Sequence, residues 1–356
     1  MTRASIIVPA YNVAKFLPRC VESLLAQTEA SIEVVVVNDG SSDGLTGDLA
    51  DRLAEQDGRI RVEHQENGGL SAARNAGLRM ATGDYVLFVD GDDWAEPDMV
   101  SSMIAACESA GAEVSVAGAH VDFHDGEERL VRSELRVLPE TLIDRAAPID
   151  STLVTDNFVN LVGYAWNKAY LRSWLQGQAA FFEDGLTLIE DIEFNSRVIG
   201  AAARTALVPR GFVHYVQRPR QTLGTTHDRT FLVKRLRAIQ CVDSLLVGWQ
   251  LGSGLTAKLR ARAASGALWA AARSCGHGTD GRARLSDMVE QPGARDLIDM
   301  AQADASADLR RRWVVAALRR DWFSVALMPA KVQLVLGQFY SSIRRATTMT
   351  PEGKKS

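Results

Sequence analysis

The 356-residue sequence is poor in cysteine: Cys20, Cys107, Cys241 and Cys275 are its only four, and they stand far apart. Without a close pair there is no zinc-ribbon spacing, redox dithiol or disulfide framework, so free thiols in a reducing compartment are expected. Long apolar runs are missing as well. No stretch reaches the roughly twenty uninterrupted residues that a membrane-spanning helix needs. The start, MTRASIIVPAYN, meets Pro9 soon after its first apolar run begins at Ser5, which leaves no room for a signal-peptide core. The expected location is the cytoplasm. Excess positive charge is lacking too, since the formal net charge is −4; nucleic acid is not an expected partner. Neither internal repeats nor low-complexity tracts occur.

What is present is the composition of a globular protein, 46% apolar and 24% charged. Its charge is uneven, with net +8 over residues 309–356 against −12 over 1–308. The first 120 residues or so alternate short apolar runs with amphipathic stretches. SIIVPA (5–10), EVVVVND (33–39), RIRVEHQ (59–65), YVLFVD (85–90) and AEVSVAGAHV (112–121) read as strands, and residues 13–27, 45–56, 70–81 and 96–110 have helical periodicity. Val34 to Val37 are apolar at every position, as in a strand buried on both faces of a parallel sheet. These features predict an α/β fold with a mostly parallel, doubly wound sheet. The pattern weakens from about 122 to 165, where DFHDGEERLVRSEL reads as a surface hairpin or loop. Residues 164–175 and 187–203 are predicted helical, 205–217 a strand, and the Ala-, Leu- and Arg-rich chain from about 230 a helical region.

Ligands of such sheets bind at the carboxyl ends of the strands. There the sequence sets Tyr11 and Asn12, Asn38 and Asp39, Asn67 and Gly68, and finally Asp90, Asp92 and Asp93. Three carboxylates in four positions repel one another. The cluster makes sense beside a diphosphate only if a hard divalent cation lies between them. The plainer alternative is that Asp92 or Asp93 caps the helix beginning near Glu96.

SIIVPAYN, EVVVVNDGSSDG, ENGGLSAARNAGL, DYVLFVDGDDW and IEDIEF stand in the order and at about the spacing seen in family 2 glycosyltransferases. Residues 4–220 resemble that family of inverting nucleotide-sugar enzymes with the GT-A fold. The resemblance implies a nucleotide-sugar site formed by Pro9, Ala10, Tyr11, Asn12, Asp39, Asn67, Arg74, Asp90, Gly91, Asp92 and Arg218. In it Tyr11 lies against the base, Asp39 accepts from a ring N–H, and Arg74 sits near the base or phosphates. It also implies that Asp90 and Asp92 are the DXD pair, with Asp90 near the ribose, Asp92 at the metal, and Mn²⁺ or Mg²⁺ as cofactor. A ring N–H beside a carbonyl suits uracil, so a UDP-sugar is favoured, although guanine offers a similar donor. Ser41 and Ser42 are read as turn residues.

Inversion requires a base that takes the acceptor hydroxyl's proton. The resemblance assigns this role to Asp191, with Glu190 as the fallback. Trp166 is either an acceptor-side stacking residue or core, and Arg218 or Arg220 is expected to meet the diphosphate. The usual serine after that segment is replaced by Thr222, Thr225 or Thr226. His214 and His227 are read as packed or surface residues before metal ligands.

The expected organisation is a catalytic domain over 1–228 and a helical region over 229–356. The latter contains a basic amphipathic segment, 309–345, divided by Pro329. That segment would contact an anionic membrane surface, pack on the protein, or self-associate. Membrane contact would bring the protein to the inner face of the cytoplasmic membrane. The expected activity is a metal-dependent, inverting hexosyl- or hexosaminyl transfer to a glycan or lipid-linked saccharide in surface-polysaccharide synthesis. The alternatives are a sugar-1-phosphate nucleotidyltransferase and a non-catalytic nucleotide-sugar-binding module. VPAYNVAKF contains no glycine, which argues against the triphosphate-cradling loop of the former.

Overall fold

A computed structural model describes residues 3–219, 228–276 and 279–333, apart from the side chains of Asp156 and Asn157. The chain divides into two compact units, Met1–Gly224 with Gln240–Leu255, and Thr225–Ile239 with Thr256–Ser356.

The first unit begins with alternating β1 (Ala4–Ala10), α1 (Leu17–Leu25), β2 (Ile32–Asp39), α2 (Thr46–Gln56), β3 (Ile60–Gln65), α3 (Gly69–Met80) and β4 (Tyr85–Phe88). Every residue of β1, β2 and β4 is buried, because helices cover both faces of a parallel sheet. β1 lies between β2 and β4 and runs parallel to both, with Ile6 opposite Val34 and Leu87. Connections leave β1 in both directions, so a crevice opens at the carboxyl ends of these strands.

The chain continues through β5 (Trp94–Ala95), α4 (Met99–Ala110), β6 (Val114–His124), β7 (Leu130–Arg136), β8 (Thr141–Asp144), α5 (Asp156–Gly163), β9 (Lys168–Leu171), α6 (Arg172–Gly177), α7 (Glu190–Ala201) and β10 (Arg204–Gln217). The main path of the sheet is β3-β2-β1-β4-β9-β6-β10-β5, with β7 paired to β6 and β8 to β10. The predicted excursion at 122–135 is the β6–β7 hairpin.

One element differs from expectation. Residues 164–175, read as a helix, instead hold β9, which pairs antiparallel with both β4 and β6, followed by short α6. A central strand is buried on both faces, so Ala169 and Tyr170 are apolar in succession, and in a short window that pattern is indistinguishable from a buried helix. Lys168 further masked the strand. Its ammonium is fully buried and is satisfied by the carbonyls of Leu161 and Tyr164 and by Asn167 Oδ1.

The second unit is helical. After the start of α8 (Phe231–Gly248) it contains α9 (Ser253–Cys275), α10 (Gly281–Glu290), α11 (Ala294–Ala301), α12 (Leu309–Leu318) and α13 (Phe323–Ala326). α9 buries Ala261, Ala264, Ala267, Ala271 and Ala272, a small-residue face that permits close packing. The described part of the basic segment is interrupted at 319–322 and again at Leu327, just before Pro329, which is the second residue of helical residues 328–333. Proline is tolerated there because a first helical turn has no partner for its N–H groups. Residues 334–345 of that segment lie outside the described residues. Among the described residues, no helix is long and apolar enough to cross a membrane.

Candidate active site

The loops after β1 and β2 are tied together by Asn12, whose φ of 56° is left-handed. Its Oδ1 accepts from the backbone N–H groups of Ser42 and Asp43 at 2.8 and 3.0 Å, and its own N–H donates to Ser41 Oγ. Ser41 and Ser42 are thus turn residues, while Asn12 braces the loop that presents Tyr11. Tyr11 follows Pro9 and Ala10 at the end of β1 and is 48% exposed.

Asp39, at the end of β2, is buried. Its carboxylate accepts from Gln65 Nε2 at 2.6 Å and from the backbone N–H groups of Gly68 and Gly69 at 2.9 Å each. A carboxylate has about four lone-pair sites, so it keeps capacity for one further donor. Gly40, at φ +62°, lies so close to this turn that a Cβ there would come 2.6 Å from the Asn67 nitrogen. Asn67 itself is exposed beside Asp39.

β4 ends just before the acidic run. A Cβ on Gly91 would sit 3.0 Å from the Pro9 carbonyl and 3.2 Å from Val13 Cγ2, so a larger residue would push the two strand ends apart by a few tenths of an ångström. Asp90 pairs with Arg74 Nη2 at 2.9 Å. Asp92 pairs with Arg218 Nη1 at 3.1 Å, yet its side chain stays 40% exposed. Burial, and then the charge of Asp90, push the Asp92 carboxyl up to about 6. Asp93 is almost fully buried, and burial followed by Asp92 and Asp90 raises it well above the carboxylate range.

Asp93 does not cap α4, whose N-cap position is Asp98. It instead accepts from the Val216 N–H at 2.8 Å, fastening the acidic run to β10, and its Oδ2 has no partner. Crowded, under-compensated oxygen ligands with one carboxylate open to solvent fit a hard divalent cation held by Asp92 and Asp90.

Arg218 is almost fully buried. It spans Asp92, Glu128 Oε2 at 2.9 Å and the Phe16 ring at 3.8 Å. Arg220, Thr222, Thr225, Thr226 and His227 lie outside the described residues.

Helix α7 begins at Glu190, after Leu188 in a left-handed conformation at φ 71°. Asp191 Oδ1 pairs with Arg74 Nη1, and its Oδ2 accepts from the Ala165 N–H at 3.0 Å. Arg74 therefore links the acidic pair at β4 to the first turn of α7. Burial opposes its charge, but Asp191 and Asp90 together outweigh that and raise its pKa. Burial, with Asp191 second, pushes the Glu190 carboxyl up to about 7, and its Oε2 is buried without a partner. Burial raises Asp191 too, against the pull of Arg74.

The family model described as Glycosyl transferase family 2 matches residues 5–176. Residues 5–176 are a family 2 glycosyltransferase domain. The chain is 33% identical over 219 residues to the uncharacterized glycosyltransferase EpsJ of Bacillus subtilis, covering 60% of this chain and 61% of that one. It is 31% identical over 213 residues to the succinoglycan biosynthesis protein ExoO of Rhizobium meliloti, covering 59% and 60%. These matches span about three-fifths of the length of those curated relatives. The structure of S. aureus TarS 1-349 in complex with UDP-GlcNAc superimposes with a TM-score of 0.64 at 18% identity, covering 94% of this chain and 92% of that one. The fold is GT-A.

Within the family 2 domain, Pro9, Ala10, Tyr11, Asn12, Asp39, Asn67, Arg74, Asp90, Gly91 and Asp92 all gather at the carboxyl edge of β1 to β4, and Asp191, Glu190 and Arg218 are drawn to them through ion pairs or sequence adjacency. Trp166 is 3% exposed and packs with Tyr164 and Tyr215 at centroid distances of 4.6 and 5.3 Å, which makes it core. Glu128 was not foreseen. It lies at the tip of the hairpin, far from any motif, and no sequence signal ties it to Arg218.

Proposed function

We propose that this protein transfers a sugar with inversion from a nucleotide-diphosphate donor, a UDP-sugar by preference, to a hydroxyl of a glycan or lipid-linked saccharide in surface-polysaccharide synthesis. The observation that carries this reading is Arg74, which ties Asp90 of the donor-side acidic run to Asp191 of the base helix through one buried guanidinium. Asp39 retains an acceptor site for the base's ring N–H, and Tyr11 offers its exposed ring to the base. Bound Mn²⁺ or Mg²⁺, held by Asp92 and Asp90, would supply electrostatic stabilisation of the leaving diphosphate. Arg218 adds a second cation beside Asp92. Asp191, fixed by Arg74 and the Ala165 N–H, takes the acceptor proton, beside a Glu190 carboxyl that burial, and then Asp191, push up to about 7. The TarS fragment solved with UDP-GlcNAc supports the choice of donor class.

A thermal-shift screen of nucleotide sugars with and without Mn²⁺ tests the reading. UDP or a UDP-sugar should raise Tm in a metal-dependent way, and Asp92→Asn should abolish the metal-dependent part. Asp191→Asn should keep that shift while slowing UDP release by about 10²- to 10⁴-fold, the usual contribution of a general base. No metal-dependent stabilisation by any nucleoside diphosphate would overturn the proposal.

We further propose that the lipid-linked acceptor is reached through the basic segment. Its described part exposes Leu309, Trp313, Trp322, Met328 and Val332 beside Arg310, Arg312, Arg319, Arg320 and Lys331. Aromatic and basic side chains together suit an anionic headgroup layer. Full-length protein should float with anionic liposomes while a 1–305 truncation stays in the soluble fraction; equal partitioning of the two removes this part.

A further inference from the structure

Behind the acidic run, β5, β6 and β10 carry a second cluster that the transfer reaction does not use. His120 and His214 are cross-strand neighbours, and strand alternation sets His214 on the face opposite Tyr215. One ligand atom each from Glu96, His120 and His214 lies within 4.8 Å of the others. The two imidazoles stack in parallel at 4.3 Å, and Trp94 covers the other face of His214 at 3.5 Å. The Arg19 guanidinium sits 4.4 Å from the Trp94 ring centroid.

The hydrogen bonds around His214 pose a problem of protons. Nδ1 lies 2.8 Å from Asp122 Oδ2 and Nε2 lies 3.0 Å from Glu96 Oε1. If Nδ1–H donates to buried Asp122, the Nε2 lone pair of a neutral ring faces a carboxylate oxygen, acceptor against acceptor. Either a second proton or a cation must sit between them. A divalent cation satisfies both the Nε2 lone pair and the Glu96 oxygen, and the His120 nitrogen lies within reach of the same point. Two ligands at about 2.0–2.1 Å from a tetrahedral ion stand roughly 3.3 Å apart, close to the Nε2–Oε1 separation. Closing the remaining spread requires the half-buried His120 ring to turn out of its parallel stack on His214, because lone pairs in parallel ring planes do not meet at one ion. A carboxylate behind a histidine is also the usual device for orienting a metal-bound imidazole.

We propose that Glu96, His120 and His214 form a Zn²⁺ site separate from Asp90 and Asp92, with Asp122 as the positioning residue for His214. Two nitrogens and one carboxylate suit zinc and leave a fourth position for water. The site braces the sheet. β5 follows the acidic run directly and pairs with β10 at His214, and β10 also holds Asp93 through Val216. A cation here fixes the backbone that presents Asp92.

The test is calorimetric titration of EDTA-stripped full-length protein with Zn²⁺, without nucleotide, alongside visible absorption of the Co²⁺ form. Wild type should bind one Zn²⁺ and give the intense bands of tetrahedral Co²⁺. Asp92→Asn should keep both. Glu96→Gln and His120→Gln should each weaken Zn²⁺ by at least about tenfold, and Asp122→Asn by roughly 10- to 100-fold. Glu96 is a partly exposed surface residue, so its variant tests the site even where a histidine variant misfolds. Unchanged affinity in Glu96→Gln, loss of binding in Asp92→Asn, or no binding by wild type would overturn the proposal.

Discussion

The two halves of the sheet place their chemistry differently. In the first half β1, β2 and β4 are buried along their whole length, and the reactive groups sit at or just past a strand end, apart from Arg74 on α3. In β9-β6-β10-β5 polar groups lie along the strands themselves: His120 and Asp122 on β6, His214 on β10, and Lys168 and Asn167 at the start of β9. A parallel strand covered on both faces has no room for uncompensated charge except at its end. A buried strand can carry polar groups along its length only where neighbours satisfy them, as the Leu161 and Tyr164 carbonyls do for Lys168 and Asp122 does for His214. The first half therefore builds its site from contiguous residues, whereas the second builds by register, joining His214 to Asp122 across 92 positions of sequence.

Arg74 joins the halves, and removing it should have the largest effect. The guanidinium is buried and neutralises Asp90 and, across 117 positions, Asp191. Arg74→Met leaves two carboxylates together without a counter-charge. Breaking a buried pair from one side typically costs about 3–5 kcal/mol, and urea unfolding at pH 7.5 or so should show a loss of that order together with loss of transfer. Arg74→Met with Asp191→Asn should recover part of the stability and none of the activity. A loss below about 1 kcal/mol would mean that the halves are held by packing and that Arg74 does not couple them.

Glu190 comes next. Its folded pKa of about 7 lies above the ordinary 4.5, so the folded state holds the proton more tightly than the unfolded state does. The resulting stabilisation is complete below about 4.5 and is lost as pH rises through 7. Glu190→Gln cannot ionise. It should match wild type near pH 4.5 and exceed it at pH 8 by an amount on the order of 1–3 kcal/mol. Denaturant midpoints at the two pH values provide the comparison, and equal pH slopes would show that Glu190 is not held in this strained state. A carboxylate kept at such cost beside Asp191, the proposed base, fits an exchange of stability for activity.

The contrast between halves also explains what could be read from the sequence alone. β1 to β4 and their helices were legible because β1, β2 and β4 are short apolar runs, and the residues proposed for the donor side were picked out because most of them stand at or just past a strand end. β9 was not legible, because Ala169 and Tyr170 are buried on opposite faces and Lys168 resembles a surface residue until its carbonyl partners are seen. Nor was the role of Asp93, since its partner is a backbone N–H on β10, 123 positions away. The Glu96, His120 and His214 cluster left one trace, the alternation in HVDFH (120–124), which puts His120 and Asp122 on one strand face. Alternation identifies the face but not the strand that will lie beside it.

The smallest predicted effect sharpens the comparison where the hairpin of the second half touches the acidic run of the first. Glu128 accepts from Arg218 Nε at 2.9 Å and pairs with Lys15 at 3.3 Å. Burial pulls its carboxyl upward, but the Arg218 and Lys15 contacts win and hold it below the ordinary range. Glu128→Gln removes that partner and leaves the Arg218 charge to Asp92 alone. Because Glu128 is partly exposed and Lys15 largely so, the stability cost should be no more than about 1 kcal/mol. The effect on binding is more diagnostic. With Arg218 pulled fully onto Asp92, a divalent cation competes for that carboxylate against a stronger rival, so a higher Mn²⁺ concentration should be needed for half-maximal stabilisation by UDP. If the Mn²⁺ requirement is unchanged while stability falls by more than about 2 kcal/mol, Glu128 serves only to hold the hairpin, and the two halves meet at Arg74 without a second electrostatic link.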